Sequence, residues 1–142
     1  MATKKEQLEL MGKVPLFSEC SRKELDLIAR AGRIVERSVG DVIVEEGASG
    51  VGFHLIVGGS AEVTRGGRKI SELGAGDYFG EVSLIDEGPR SATVTATSPI
   101  KMVVLTPWEF RPLLNSHPSI SYKLLVHMTS LYREAASATK LL

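Results

Sequence analysis

The sequence predicts a mainly β domain with helices at both ends, and three features of the chain support this. Between Gly32 and about Thr106, short runs rich in β-branched residues alternate with glycine-containing turns. Capping boxes that start helices lie on either side of this region, at Ser21 and at Thr106. The length of 142 residues suits one domain with one proper core. Closely spaced short strands of this kind indicate a double-sheet roll or barrel.

Residues 4–31 are predicted to form the N-terminal helices. A short helix is expected over about residues 4–12, with an imperfect apolar stripe. Pro15 interrupts the helical pattern, and the capping box from Ser21 to Glu24 opens a second helix that ends at Gly32.

The roll is predicted over residues 32–106. Seven segments have the composition of strands: Arg33–Val39, Asp41–Glu45, Phe53–Val57, Ser60–Thr64, Lys69–Leu73, Ala92–Thr97 and Lys101–Leu105. Glycines between them are expected to supply the corners with positive φ: Gly40, Gly47, Gly59, Gly74 and Gly76.

Residues 107–139 are predicted to form two C-terminal helices, which complete a single domain over residues 1–142. Pro107 follows the capping residue Thr106 and opens a helix to about Asn115, in which Trp108 and Phe110 are expected to pack on the roll. The last helix, about residues 118–139, carries an apolar stripe at three- and four-residue spacing: Ile120, Leu124, Met128, Leu131 and Ala135.

Composition limits the classes of partner. Lys and Arg total 17, as do Asp and Glu, so no excess charge indicates nucleic acid or a membrane surface as a partner. Cys20 is the one cysteine, which excludes an intrachain disulfide. The N-terminus has no apolar signal core and no apolar run is long enough to cross a bilayer, so a cytoplasmic protein is expected.

Catalytic and metal-binding motifs are missing from the sequence. His54, His117 and His127 lack the mutual spacing of a metal site. There is no nucleophile elbow, no Cys/His dyad and no phosphate loop of the Gly-Lys-Ser/Thr type. A metal-dependent barrel enzyme would need two histidines and a glutamate clustered on adjoining strands, whereas His54 is the single strand histidine and is expected to be half-buried and structural. We therefore predict no metal, no cofactor and no enzymatic activity.

The segment 77–94, DYFGEVSLIDEGPRSATV, is the most informative part of the chain. Glu81 and Arg90 flank a short apolar turn that begins at Gly80. A guanidinium presents a planar fork of donors to phosphate oxygens, and the backbone N–H groups of Gly80–Ser83 would add positive potential. A carboxylate can accept a hydrogen bond from a sugar hydroxyl but repels a second phosphate. The alternative is a surface ion pair between Glu81 and Arg90 beside a structural helix.

This segment closely resembles the phosphate-binding cassette of the cyclic nucleotide-binding domain family, found in catabolite activators, protein kinase A regulatory subunits and cyclic nucleotide-gated channels. The resemblance covers roughly residues 14–136 and implies an eight-stranded, jelly-roll-like β-roll (a double-stranded β-helix) with N-terminal helices and two C-terminal helices. It also implies that Glu81 accepts from the ribose 2′-hydroxyl and that Arg90 binds the cyclic phosphate. The implied ligand-binding residues are Phe79, Gly80, Glu81, Val82, Ser83, Arg90, Ser91 and Ala92, with Val63 as a pocket wall. The glycine-rich run 47–52 departs from the acidic turn often seen there and predicts a looser loop.

The same resemblance bears on which purine base of the ligand is recognised. In the family, a Ser or Thr at the position of Ser91 can contact a guanine, so cAMP and cGMP both remain open. The base lid of the family falls here on Leu131, Tyr132 and Arg133. An adenine-reading Thr-Ser pair of the catabolite-activator type falls on alanines at 135 and 136 and is therefore absent.

We therefore expect a sensor for cAMP, cGMP or both that converts occupancy into movement of its C-terminal helices. The last helix is also the expected contact with a second copy of the chain or with an effector. The alternative is a degenerate family member that serves as a ligand-free interaction scaffold. These residues name no effector for the sensor, and they are consistent with a stand-alone sensor, a partner subunit or a fragment of a larger protein.

Overall fold

Two four-stranded antiparallel sheets face each other and are flanked by helices in the computed structural model, which describes residues 3–48, 52–84 and 89–139, without the side chain of Val82. The helices are α1 (Lys4–Gly12), α2 (Arg22–Ala31), α3 (Pro107–Ser116) and α4 (Pro118–Ala138). The strands are β1 (Arg33–Arg37), β2 (Val42–Val44), β3 (Phe53–Gly58), β4 (Ala61–Arg65), β5 (Arg68–Leu73), β6 (Tyr78–Phe79), β7 (Thr93–Ala96) and β8 (Ile100–Leu105). The predicted mainly β roll with helices at both ends is confirmed.

The strand order is β1-β8-β3-β6 in the first sheet and β2-β7-β4-β5 in the second. β6 was not among the seven segments with strand composition, because two residues are too few to show a pattern. It pairs antiparallel with β3, which places Phe79 opposite His54 and Tyr78 opposite Leu55. The pairing brings the start of the cassette against the centre of the first sheet.

β3 and β8 are buried on both faces, and their alternation divides the core into two clusters. Phe53 and Leu55 belong to a cluster between the first sheet and the helices, together with Phe17 and Phe110. Ile56 belongs to a second cluster between the two sheets. His54 shares the alternation of Ile56 and is 7% exposed, so it is more deeply buried than the half-buried position expected.

Both predicted capping boxes are confirmed. The N–H of Ser21 donates to Glu24 Oε1 at 2.8 Å, and Ser21 Oγ accepts from the N–H of Glu24 at 3.2 Å. At the start of α3, the N–H of Thr106 donates to Glu109 Oε1 at 3.1 Å. Each box satisfies backbone donors that a helix start would otherwise leave free.

Two further expectations, for Trp108 and for Gly74, were wrong. Trp108 is 57% exposed, whereas Phe110 is fully buried. Residues two apart on an α-helix point about 200° apart, so both could not face the roll. Gly74 is not among the glycines with positive φ, unlike Gly40, Gly47, Gly59 and Gly76.

The first half of α4 is fastened to the rest of the domain. Ile120 and Leu124 are buried, and Glu24 on α2 accepts from Ser119 Oγ at 2.7 Å and from Lys123 Nζ. Later members of the predicted apolar stripe, such as Leu131, are exposed. None of the helices in the described part of the chain has the length and apolar character needed to cross a membrane.

Candidate functional site

The backbone of Arg90 is positioned by two hydrogen bonds to the segment that follows β2. Its N–H donates to the carbonyl of Ala48, and its carbonyl accepts from the N–H of Gly47, both at 2.9 Å. The side chain then reaches the carbonyl of Gly52, to which Nη2 donates at 2.6 Å. These contacts orient the guanidinium from two separate segments.

Gly80 makes room for this guanidinium. Its φ is +81°, a conformation that favours glycine. A β-carbon at this position would overlap both Arg90 Nη1 and the carbonyl oxygen of Gly52. The absence of a side chain at Gly80 is therefore a geometric requirement of the site.

The charge of Arg90 lacks a carboxylate partner among the described residues, in which no ion pair joins it to Glu81. Burial lowers the pKa of Arg90, although a guanidinium stays protonated in proteins. Its Nε is buried and has no hydrogen-bond partner in the described ranges. A partly buried cation without an anion is costly, so this arrangement favours the binding of an anion.

A cavity of about 240 Å³ lies beside the guanidinium. Six of the residues implied by the resemblance line it: Val63, Phe79, Gly80, Arg90, Ser91 and Ala92. Five further lining residues were not predicted: Val44, Arg65, Leu73, Tyr78 and Val94. Arg65 could have been found from strand alternation, since it lies two residues after Val63 on β4. Its Nε donates to the carbonyl of Ser91 at 2.9 Å, so a second arginine borders the cavity.

The short apolar turn expected after Gly80 is present. Val82–Leu84 form a single 3₁₀ turn, and the N–H of Ser83 donates to the carbonyl of Gly80 at 3.0 Å. That N–H is therefore not free for a ligand, contrary to expectation. Glu81 is not among the residues that line the 240 Å³ cavity, and its buried Oε2 has no partner in the described part of the chain.

His54 packs flat against Phe79, with ring centroids 4.7 Å apart and planes inclined by 7°. Burial, and then the charge of Arg90, lower the pKa of His54 to about 4. His54 and Arg90 also line a second cavity of about 510 Å³ between the edge strands β1 and β2. Sequence reasoning assigned His54 no part in the site, because its neighbour Phe79 is distant in the chain.

The residues expected to form the base lid lie apart from the site. Leu131 and Tyr132 are 42% and 62% exposed, and Arg133 is also exposed. None of the three lines the 240 Å³ cavity. The structure thus brings Val63 together with the cassette residues 79–80 and 90–92 at one cavity, which the second half of α4 does not line.

Comparisons with known proteins agree with this geometry. The family model described as "Cyclic nucleotide-binding domain" matches residues 35–117. A cAMP-dependent protein kinase regulatory subunit of Yarrowia lipolytica is 39% identical over 105 residues, which are 71% of this chain and 28% of that protein. Among solved structures, the catabolite activator protein of Thermus thermophilus is 30% identical, with a TM-score of 0.70 over 89% of this chain and 62% of that one.

The N-terminal domain of a Streptomyces coelicolor transcriptional regulator shares the fold, with a TM-score of 0.86, 24% identity and coverage of 92% of this chain and 94% of that one. The protein thus has the fold of a ligand-binding regulatory domain. It belongs to the cyclic nucleotide-binding domain family. The chain spans about a quarter of the length of the regulatory subunit that it matches.

Proposed function

We propose that this domain binds a 3′,5′-cyclic nucleotide monophosphate, cAMP or cGMP, and converts occupancy into movement of its C-terminal helices. The observation that carries the proposal is the guanidinium of Arg90, which lies against Gly80 beside a cavity and has no carboxylate partner among the described residues. A cyclic phosphate supplies the missing anion through a bidentate contact.

The chemistry of the site favours a single phosphodiester. The guanidinium of Arg90 matches one negative charge, and Arg65 already donates to the carbonyl of Ser91. The carboxylate of Glu81, in the cassette next to Gly80, would repel the additional charge of a terminal phosphate. The Oε2 of Glu81, which has no partner among the residues that the structure describes, suits a sugar hydroxyl as donor. The apolar wall residues Val63 and Ala92 suit the sugar and base, and Ser91 leaves both purines open. Phe79, Val82 and Ser83 complete the proposed ligand-binding set.

Coupling to the helices follows from where α4 is attached. Ser119 and Lys123 tie its first half to Glu24, while Leu131, Tyr132 and Arg133 are exposed in its second half. A ligand that draws these side chains over the base gains affinity only in the closed arrangement, and so shifts the population toward it. The domain then acts as a binding module and not as an enzyme.

The outer surface of α4 is the proposed partner surface. Tyr122, Leu125 and Tyr132 are large, apolar and exposed, and they recur at three- and seven-residue spacing. This pattern suits a second copy of the chain or a helix of an effector. Light scattering of the free and ligand-bound protein distinguishes self-association from a requirement for another protein.

Titration calorimetry with cAMP, cGMP and 5′-AMP tests the proposed function. We expect binding of at least one cyclic nucleotide and much weaker binding of the linear one. Absence of binding by both cyclic nucleotides to the folded protein would instead support the ligand-free scaffold.

A further inference from the structure

His54 supports the strand from which the cassette begins. It lies on the central strand β3, directly opposite Phe79 on β6, and its ring is stacked on that of Phe79. Phe79 immediately precedes Gly80, the glycine that accommodates the Arg90 guanidinium. The position of the imidazole therefore bears on where the cassette starts.

His54 also shares its surroundings with Arg90. Both side chains line the 510 Å³ cavity, and the carbonyl of Gly52 that accepts from Arg90 also favours the protonated imidazole. The Nδ1 atom of His54 is buried and has no hydrogen-bond partner in the described residues. The imidazole thus sits within electrostatic reach of the guanidinium and has a nitrogen that no hydrogen bond occupies.

We propose that His54 is a positioning residue of the cassette, and that proton binding to its imidazole is linked to anion binding at Arg90. This inference rests on the proposed function, because it takes the cyclic phosphate as the anion that Arg90 receives. Ligand affinity would then depend on pH through a residue that lines the neighbouring cavity and not the ligand cavity itself.

The direction of the effect follows from the causes that act on His54. Without ligand, burial and the charge of Arg90 lower its pKa from 6.5 to about 4, with a smaller contribution from Arg37. A bound anion offsets the charge of Arg90 but not the burial, which is the larger cause, so the pKa of His54 rises part of the way toward its ordinary value. Binding therefore takes up protons between about pH 4 and 6.5, and affinity increases as the pH falls through that window.

Other charged groups surround His54 and need a control. Arg33 and Glu45 line the same cavity, and Arg33 is 3.8 Å from the carboxylate of Glu109. Tyr78 and Glu81 flank Phe79 and Gly80 in the cassette. The variant His54→Phe keeps all of these groups and a planar ring on Phe79. The difference in pH dependence of affinity between the unmodified protein and this variant therefore isolates the contribution of His54.

Calorimetric titrations with cGMP, whose base does not titrate in this window as adenine does, provide the first test. We expect the affinity of the unmodified protein to rise about 2- to 4-fold between pH 7.5 and pH 5, and the affinity of His54→Phe to depend clearly less on pH over that range. His54→Ala, which also loses the stack, should bind about 3- to 10-fold more weakly at every pH. An equal pH dependence in His54→Phe would overturn the proposal.

Imidazole NMR titrations test the linkage without ligand, with the His54 signal assigned by its loss in His54→Phe. We expect the pKa of His54 to rise in Arg90→Gln and to stay low in Arg90→Lys, which keeps the charge. If no cyclic nucleotide binds, the proposed function fails while this measurement still decides the linkage. An unmoved His54 titration in Arg90→Gln would overturn it.

Discussion

The guanidinium of Arg90 occupies the space that a β-carbon on Gly80 would need, and it is held there by the carbonyl of Gly52. The residue before β3 and the two ends of the cassette turn therefore meet around one charged group. Because this cation has no carboxylate partner in the described residues, the arrangement favours the binding of an external anion.

Substitution of Gly80 by alanine should lower both stability and ligand affinity. The positive φ costs an alanine about 1–2 kcal/mol, and the added methyl also displaces Arg90. Gly40→Ala is the matched control, because Gly40 has a φ of +88° and open space around it. Chemical denaturation should show a loss in both variants and a larger one in Gly80→Ala, where the methyl also meets the Gly52 carbonyl. Calorimetry should show weaker cyclic nucleotide binding in Gly80→Ala alone. Unchanged affinity in Gly80→Ala would contradict the site geometry.

Arg90→Ala should abolish cyclic nucleotide binding while the protein remains folded. The loss of a charge-assisted pair in a partly desolvated site should reduce the binding free energy by about 2–5 kcal/mol. Arg68→Ala, which removes an exposed arginine of β5, serves as the control. Calorimetry and circular dichroism on the three proteins provide the test, and full affinity in a folded Arg90→Ala would rule out the proposed phosphate contact.

Glu81→Ala should weaken binding of cyclic nucleotides but barely affect binding of their 2′-deoxy analogues. The physical reason is that an acceptor matched to a hydroxyl discriminates only between ligands that differ in that hydroxyl. Competition titrations with both ligand types give the ratio of affinities. Equal losses for the two types would mean that Glu81 acts on the structure of the turn and not on the ribose.

Tyr132→Ala should lower affinity for cAMP and cGMP alike, by about 1–3 kcal/mol if one base-stacking contact is lost. Tyr122→Ala is a matched control, since Tyr122 is an exposed tyrosine in the first half of the same helix. Truncation at about residue 128 should have an effect similar to that of Tyr132→Ala. Ligand should also slow amide exchange across residues 118–139. Unchanged affinity together with unchanged exchange would leave α4 as a packing or partner helix only.

The free energy of unfolding should fall in acid because of Glu24. Its hydrogen bond with Lys123, followed by those with Ser21 and Ser119, lowers the pKa of Glu24 from 4.5 to about 2. A carboxylate whose pKa is lowered by folding stabilises the fold when the pH is above its ordinary pKa. That contribution is lost as the pH falls through the pKa of the folded state. Denaturation of the unmodified protein should therefore show a loss of stability between about pH 4.5 and 2 that is smaller in Glu24→Gln. The same slope in both proteins would show that other carboxylates are responsible.

Local features allowed most of the elements to be predicted. Capping boxes and prolines at helix starts act within a few residues, so the predicted helix starts matched closely at Ser21, Thr106 and Pro118. The failures have the same origin. Trp108 and Phe110 are both aromatic and two positions apart on α3, but Trp108 is exposed and Phe110 is buried. β6 has only two residues and is too short to show any periodicity.

The sequence by itself determined the cassette, because Gly80, Glu81, Arg90 and Ser91 lie within one short segment whose chemistry can be read directly. Only the tertiary structure decided what surrounds it. The hydrogen bond from Arg90 to Gly52 spans 38 positions, and the stack of His54 on Phe79 depends on the pairing of β3 with β6. Such contacts are set by which strands lie side by side in the roll, and periodicity along one strand contains no information about its neighbours.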